Sequence, residues 1–406
     1  MRLLVQKFGG TSVATREARK LLVSRVSDAV RDGYSPVLVV SAMGRFGEPY
    51  ATDSLIDLAR RVYRSTPPRE MDMLMSCGEV IASVVVSSTL MSAGLAAVAL
   101  TGTQAGIMTD SDFGNAGVLQ VNPERVQQLV SESRIPVVAG FQGSTADGEI
   151  TTLGRGGSDT TAALLGAALG AESVEIYTDV DGVKTADPRL VPKAQTIRTL
   201  TYDEVSQMAN QGAKVLNPRA VGIAMRHNVP IRVRSVFEDA PGTLVTALGT
   251  AGIWPEARSG KVVTGVTHIP DLCQVCLSAG SVSHTLVFRA LADQGISVDM
   301  IAVSRDECSF VIKQELLQDA ARVLSELGLE PEVCEDCAKV SVVGSGMRGL
   351  PGVMAGVSEA LEKAEVEILK TSDSHITISC LVRSEDLMKA ARALHTQFGL
   401  DAEGQG

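Results

Sequence analysis

The chain has 406 residues, 45 % of them hydrophobic and 21 % charged, which is enough apolar material for two or three cored domains and excludes wholesale disorder. Its formal net charge of −10, with no Lys/Arg-rich block, repels phosphate backbones and sets nucleic acid aside as a partner. Seven cysteines, an odd number spread along the chain, read as reduced thiols of a cytoplasmic protein rather than a disulfide frame.

The opening run Leu3–Phe8 reads as a strand and not a signal peptide, because it is short and Lys7 interrupts it. A helix follows with Ala18, Leu22, Val26 and Ala29 on one face, closed by Gly33, and then a strand over Val37–Ser41. From Val80 to Thr109 there is no charged side chain, which raises the question of a membrane span. Gly94 divides the stretch, and Ser83, Ser87, Ser88 and Ser92 interrupt it. A helix over Val80–Ala93 would reach roughly 21 Å against roughly 30 Å of hydrocarbon, so the expectation is a buried helix, a strand over Leu95–Leu100 and no membrane. Strands over Pro136–Phe141, Val174–Thr178 and Pro230–Val233 continue the alternation. Alternation of this kind predicts an α/β domain over residues 1–245, a mostly parallel sheet with helices on both faces. Its ligands should gather at the C-terminal ends of the strands.

The tail has a different grain. After a Gly-, Ala- and Pro-rich linker over Glu238–Gly260, many positions recur at an offset of 70. Ala290-Leu291 returns as Ala360-Leu361, Val298 as Ile368, Val311-Ile312 as Leu381-Val382, and Ala320-Ala321-Arg322 as Ala390-Ala391-Arg392. Each copy reads as helix, strand, strand, helix behind an upstream strand, which predicts two small α+β domains over residues 262–330 and 338–406.

Three loops carry the chemistry. Lys7-Phe8-Gly9-Gly10-Thr11-Ser12 ends a strand and opens a helix, with glycines that admit a ligand close to the backbone and N–H groups suited to phosphate. It is no Walker loop, lacking GxxxxGK[ST]. Gly154-Arg155-Gly156-Gly157-Ser158-Asp159-Thr160-Thr161 precedes an Ala/Leu-rich helix. Ser158 or Asp159 suits that helix as its cap, and Arg155 suits a carboxylate through paired hydrogen bonds. Thr178-Asp179-Val180-Asp181-Gly182-Val183-Lys184-Thr185-Ala186-Asp187-Pro188-Arg189 is a turn-rich loop after a strand and, by composition alone, is not distinctive.

In this order and at these spacings the three loops resemble those of the aspartate kinases of the amino-acid kinase superfamily. Gly212-Ala213-Lys214-Val215-Leu216 is similar to a fourth segment of that family, and the repeated tail to its paired ACT regulatory domains. The resemblance covers essentially the whole chain and implies an αβα-sandwich kinase domain that uses ATP with Mg²⁺ and L-aspartate. Lys7, Gly9, Gly10 and Ser41 resemble its phosphate-side contacts, and Lys214 its second phosphate lysine. Thr52, Glu79, Phe141, Arg155, Ser158 and Asp159 resemble the aspartate site, with Arg155 on the α-carboxylate and Glu79 on the amino group. Thr178, Asp179, Lys184 and Arg189 resemble the adenosine site; many relatives have an aromatic ring at position 184. No protein ligand for the magnesium is implied. Relatives pair their ACT domains across a dimer, so the resemblance implies a homodimer or higher homo-oligomer.

The tail holds two decoys. Gly344-Ser345-Gly346-Met347-Arg348-Gly349 is a literal GxGxxG, but too little chain follows for a doubly wound dinucleotide fold. Cys273/Cys276 and Cys334/Cys337 are CxxC pairs, yet Cys273 and Cys276, three apart in an apparent strand, face opposite sides, and the stretch between the two pairs is far longer than in a zinc ribbon. The tail also departs from lysine- and threonine-sensing relatives at Val303, Glu367 and Ala279-Gly280-Ser281. Pro49-Tyr50-Ala51-Thr52-Asp53 and Ser372-Asp373-Ser374-His375 are closer to diaminopimelate-sensitive enzymes of spore-forming bacteria. The resemblance thus implies an amino-acid effector, meso-diaminopimelate before lysine or threonine, at Asp299, Met347, Glu367 and Asp373. His375 also reads as an exposed turn residue, and His227, the one histidine before the tail, as a surface residue. Weighed against all this are a glutamate or nucleotide kinase, a catalytically dead amino-acid sensor and an NAD-linked dehydrogenase.

Overall fold

The structure is a computed structural model that describes residues 2–213, 215–247, 262–278, 283–304, 307–347 and 349–401. The chain forms two compact units, each built from more than one stretch of sequence. The first comprises Met1–Val183, Thr196–Ala209 and Lys214–Ala257; the second comprises Lys184–Gln195, Asn210–Ala213 and Arg258–Gly406.

In chain order the first unit contains β1 (Arg2–Phe8), α1 (Gly10–Ala14), α2 (Arg16–Arg31), β2 (Tyr34–Val40), α3 (Thr52–Val62), α4 (Pro68–Ser92) and β3 (Ala97–Leu100). There follow β4 (Ile107–Thr109), β5 (Val118–Val121), α5 (Glu124–Ser131), β6 (Ile135–Ala139), β7 (Gln142–Ser144), β8 (Ile150–Thr152), α6 (Gly157–Leu169) and β9 (Ser173–Thr178). It closes with β10 (Thr199–Thr201), α7 (Tyr202–Asn210), α8 (Pro218–His227), β11 (Ile231–Ser235) and β12 (Thr243–Thr246).

The main sheet has the order β10-β12-β11-β9-β1-β2-β6-β3, and every pair is parallel except β11 with β12. Its central strands are buried on both faces and so read as near-continuous apolar runs. Ala18, Leu22, Val26 and Ala29 are the buried face of α2, as its periodicity predicts. Leu22 and Val26 join Phe8, Leu38, Val86, Leu90 and Tyr177 in the core on one side of the sheet. The core on the other side rests on α6, an Ala- and Gly-rich helix buried over most of its circumference, with Ala163 against Ala220 and Ile223 of α8. A four-stranded sheet, β5-β4-β7-β8, is built alongside.

One helix differs from its prediction. α4 begins at Pro68 rather than Val80 and runs for 25 residues, roughly 37 Å. That is long and apolar enough to cross a membrane by length and composition, yet half of its most apolar window is buried in protein. It also holds Asp72 and Glu79 in the interior. Pro68 suits the first helical position, where no N–H bond is lost. α4 is the long core helix of this unit.

The second unit contains β13 (Gly265–Ser278), α9 (His284–Asp293), β14 (Asp299–Val303), β15 (Glu307–Lys313), α10 (Leu317–Glu326), β16 (Glu332–Val343), α11 (Val353–Lys363), β17 (Lys370–Asp373), β18 (Thr377–Arg383) and α12 (Leu387–Gln397). The duplicated pattern is there, but the copies interlock. β13 and β16 pair antiparallel at the centre of one six-stranded sheet, order β14-β15-β13-β16-β18-β17. Both strands kink midway, at Asp271 (φ 57°) and Asp336 (φ 52°). Val266 and Val340 serve a core with α11 and α12, whereas Cys273 and Val275 serve a core with α9 and α10. Ala186 and Val191 pack in the first of these cores, Thr185 Oγ1 lies 2.8 Å from His395 Nε2, and Arg392 donates to the Leu190 carbonyl at 2.8 Å. These contacts tie Lys184–Gln195 to the second unit.

Candidate active site

Parallel pairing in register sets four strand ends side by side: Phe8 faces both Val40 and Tyr177, and Val40 faces Ala139. The residues that follow, Gly9, Ser41, Gly140 and Thr178, therefore share one edge of the sheet, where β1 feeds neighbours on both sides. Backbone bonds join these exits. Gly9 N–H donates to the Tyr177 carbonyl at 3.1 Å, Ser41 N–H to Phe8 at 3.1 Å, and Gly140 N–H to Val40 at 3.0 Å. A Cβ on Gly10 would sit 2.6 Å from the Ala42 carbonyl oxygen, so only glycine lets the first loop lie against the second.

Lys7 points to the α6 side of the sheet, where its ammonium meets Asp159 Oδ1 at 2.7 Å. Both side chains are largely buried, 12 % and 14 % exposed. The ammonium also lies 3.8 Å from the point a Gly9 Cβ would occupy, directly over the glycine loop. The expectation that Ser158 or Asp159 caps α6 is corrected. Gly156, at φ 72°, is the N-cap, and no side chain bonds there. A left-handed glycine ends the loop in place of a hydroxyl or carboxylate cap, and so Asp159 is left to Lys7. Ser158 is buried against Gly140, whose missing Cβ would come within 2.8 Å of it.

The Arg155 side chain is exposed, but its loop is held from three directions. Asn217 Nδ2 donates to the Arg155 carbonyl at 2.9 Å. Arg219 donates to the carbonyls of Leu153 at 3.0 Å and Ala116 at 2.8 Å. Asp72, fully buried on α4, accepts from the N–H groups of Gly114 (2.9 Å) and Thr152 (2.8 Å) and from Thr152 Oγ1 (2.7 Å), fixing the strand and loop beneath. Phe141 holds φ at 69°, unusual for an aromatic residue. Its N–H donates to Thr161 Oγ1 at 3.1 Å and its carbonyl accepts from Leu153 at 2.8 Å, bonds that sustain the strain.

Glu79 stands one α4 turn pair beyond Asp72. Its Oε1 accepts from the Ala42 N–H at 3.1 Å, beside Ser41, and its Oε2 is buried without a hydrogen-bond partner. Burial raises its pKa from 4.5 to about 8: desolvation of the charged form outweighs the backbone hydrogen bond from Ala42. Gly78 makes the approach possible: a Cβ there would fall 2.8 Å from Ala42 Cβ. Thr52 is the first residue of α3, half-buried. Asp179 accepts from Thr178 Oγ1 at 3.1 Å and from exposed Arg45 at 2.8 Å.

Other predicted residues lie apart. Lys214 is outside the described residues. Lys184 and Arg189 belong to the segment packed in the second unit, where Arg189 is bound to Asp187 at 2.6 Å. In that unit Asp299 is ion-paired with buried Lys339, Met347 is in the core, and Glu367 and Asp373 are exposed. His227 and His375 are exposed, the latter on the turn before β18. Gly344 leads into a short 3₁₀ turn in an antiparallel sheet, not a dinucleotide loop. Cys273 is buried in β13, and Cys334 and Cys337 lie 3.4 Å apart between sulfurs. A polar cleft of about 270 Å³ lined by Gln6, Arg25, Glu175 and Arg234 opens on the face of β1 opposite Lys7. Its charges pair with one another, as in Arg25 with Asp239 and Arg234 with Glu175, so we do not place the substrates there.

Sequence reasoning missed Asp72, Asn217, Arg219 and Arg45. Asp72 carries a signal: it lies seven residues before Glu79, on the same face of an apolar helix.

A glycine loop that brings backbone N–H groups up to a ligand, under a lysine already neutralised by a carboxylate, is suited to handing a phosphoryl group between small anions, and the sheet that carries it is that of an amino-acid kinase. The profile of the amino acid kinase family matches residues 2–235, and that of the ACT domain residues 332–396. Aspartokinase 1 of Bacillus subtilis (strain 168) is 46 % identical over 403 residues, covering 98 % of this chain and all of that one. The aspartokinase of Mycolicibacterium smegmatis is 40 % identical over 423 residues, covering 100 % and 98 %. Among solved structures, E. coli aspartokinase III in complex with aspartate and ADP superposes with a TM-score of 0.75 at 26 % identity, covering 98 % and 99 % of the two chains. The chain belongs to the aspartokinase family.

Proposed function

We propose that the chain transfers the γ-phosphoryl group of ATP to the β-carboxylate of L-aspartate, giving 4-phospho-L-aspartate, the entry step to lysine, diaminopimelate, threonine and methionine. The observation that carries this reading is the set of groups at one sheet edge: the Lys7–Asp159 pair over the Gly9-Gly10 loop, and the buried, half-satisfied Glu79 beside Ser41.

Aspartate's β-carboxylate is a nucleophile at neutral pH, so no general base is required. One of its oxygens bonds to the γ-phosphorus as the bond to the β,γ-bridging oxygen breaks, and ADP leaves with that electron pair. Two anions must be brought together, which makes positioning and charge compensation the main tasks. Gly9, Gly10 and Ser41 offer the phosphate cradle. Lys7, oriented by Asp159, stabilises the transferring group, and Lys214 is the second lysine of the phosphate side. Arg155 takes the α-carboxylate, Glu79 the ammonium, and Thr52, Phe141 and Ser158 line the remaining pocket. Thr178 and Asp179 receive the nucleoside, with Lys184 and Arg189 as its further contacts. Mg²⁺ arrives with ATP and shields phosphate charge.

Glu79 supports the aspartate reading further. An ammonium beside Oε2 would supply the opposite charge that offsets the desolvation of a carboxylate there, favouring the ionised form and giving Oε2 a partner.

The enzyme works in the cytoplasm as a homodimer, and an amino-acid end product acting at Asp299, Met347, Glu367 and Asp373 inhibits it. Meso-diaminopimelate is the effector we assign, its second ammonium suiting exposed carboxylates such as Glu367. Inhibition by lysine or threonine with no response to diaminopimelate would refute that assignment. A coupled assay with hydroxylamine tests the reaction itself. Hydroxamate should form with ATP and aspartate together; none with aspartate, or ADP release with glutamate or UMP, would contradict the reading.

A further inference from the structure

We infer that Asn217 is a positioning residue for aspartate: its side chain sets the backbone of the Arg155 loop, and with it the guanidinium that receives the α-carboxylate. This rests on the assignment of Arg155 to aspartate above.

Both ends of the Asn217 amide are committed. Oδ1 accepts from the Arg219 N–H at 2.8 Å, capping α8, and Nδ2 donates to the Arg155 carbonyl at 2.9 Å. The amide sits only one way round, because an N–H needs an acceptor and a carbonyl a donor. Gly156 is shaped to receive it. Its φ is 72°, and a Cβ there would lie 2.1 Å from Asn217 Nδ2. Any side chain at position 156 would expel the amide. The Arg155 side chain is exposed, and among the described residues no hydrogen bond or ion pair holds its guanidinium, so what the fold fixes is where the side chain starts: the bond to Asn217 anchors the backbone at the arginine itself. Arg219, next in line, secures the flanking carbonyls of Leu153 and Ala116. Asn217 also lies three residues beyond Lys214, so one short segment carries a phosphate lysine and the tie to the aspartate arginine.

The decisive variant is N217D. Asp is as good an N-cap as Asn, so α8 keeps its first turn, but a carboxylate cannot donate to the Arg155 carbonyl. N217S keeps a capping oxygen, is uncharged and is too short to reach the loop. Losing one hydrogen bond that orders a loop should raise KM for aspartate about five- to tenfold in both variants. KM for ATP should stay within about twofold, and the Tm of N217D close to that of the parent. Amide hydrogen exchange over residues 154–157 should speed up in both. G156A should reproduce the aspartate defect, and adding N217A to it should add little, since the two act through one contact.

An unchanged KM for aspartate, an equal rise in KM for ATP, or a loss of activity in N217D that merely tracks a fall in Tm would each overturn the inference. Failure of the functional reading shows elsewhere: the unsubstituted enzyme would then form no hydroxamate from aspartate.

Discussion

Replacing Glu79 by glutamine separates what this carboxyl does for the fold from what it does for the substrate. In the folded chain burial raises the Glu79 pKa to about 8, against 4.5 for a solvated glutamate as in the unfolded chain. Between those values the folded state binds the extra proton, so stability falls as pH rises through the window. At about 1.4 kcal/mol per pH unit, the interval from pH 5 to pH 7 removes about 3 kcal/mol. Glutamine has no proton to lose and can still accept from the Ala42 N–H through its amide oxygen. E79Q should therefore match the parent near pH 5 and exceed it at pH 7, by up to about 3 kcal/mol in the unfolding of the first unit. Urea or thermal melts of the full chain without ligand, run at both pH values, read this difference. Aspartate binding should act oppositely. Its ammonium draws Glu79 into the ionised form and releases close to one proton at pH 7, measurable by calorimetry in two buffers of different ionisation heat. E79Q should release none and bind aspartate on the order of 100-fold more weakly. If both proteins show the same pH dependence of stability, or if E79Q is the less stable at pH 7, Glu79 is already ionised and paired, and the reasoning fails.

Three further substitutions test other parts of the site. K7A should lower kcat by about 10²–10³ while moving KM for aspartate little, because the role proposed for the lysine is on charge that develops in transfer; steady-state kinetics with both substrates checks this. G10A brings a Cβ within 2.6 Å of the Ala42 carbonyl oxygen and should raise KM for ATP, with a loss of about 1–3 kcal/mol seen in urea melts. D72A leaves the N–H groups of Gly114 and Thr152 without their acceptor and should destabilise the first unit by about 3 kcal/mol, lowering Tm before any effect on kcat per folded molecule.

Much of this architecture is legible in the sequence where one periodicity rules. The four-residue spacing in α2 names its buried face residue for residue, and the strands on which the site is hung are recognisable as short apolar runs. The repeat of the tail predicts the order of strands and helices from β13 to α12, but not that Lys184–Gln195 belongs with them. What stays hidden depends on contacts between distant residues. The start of α4 is masked because Arg69, Glu70 and Asp72 look like loop, yet Asp72 falls on the stripe with Met75, Glu79, Ala82 and Val86 and is satisfied by residues some forty to eighty positions away. Nothing local reveals that β13 and β16 each serve two cores, since the kinks at Asp271 and Asp336 come from their mutual pairing. Likewise the cap of α6 is ambiguous in sequence: Ser158 and Asp159 both suit it until Lys7, far away along the chain, claims the aspartate. Asn217 looks like an ordinary helix cap, and only the fold shows what its other end holds.

The account stands or falls on where the two anions lie. A crystal structure of the enzyme with ADP and L-aspartate should show the diphosphate over Gly9-Gly10 within reach of the Lys7 ammonium. The aspartate ammonium should be on Glu79 Oε2 and its α-carboxylate on Arg155. Nucleotide or aspartate bound away from those groups would contradict it.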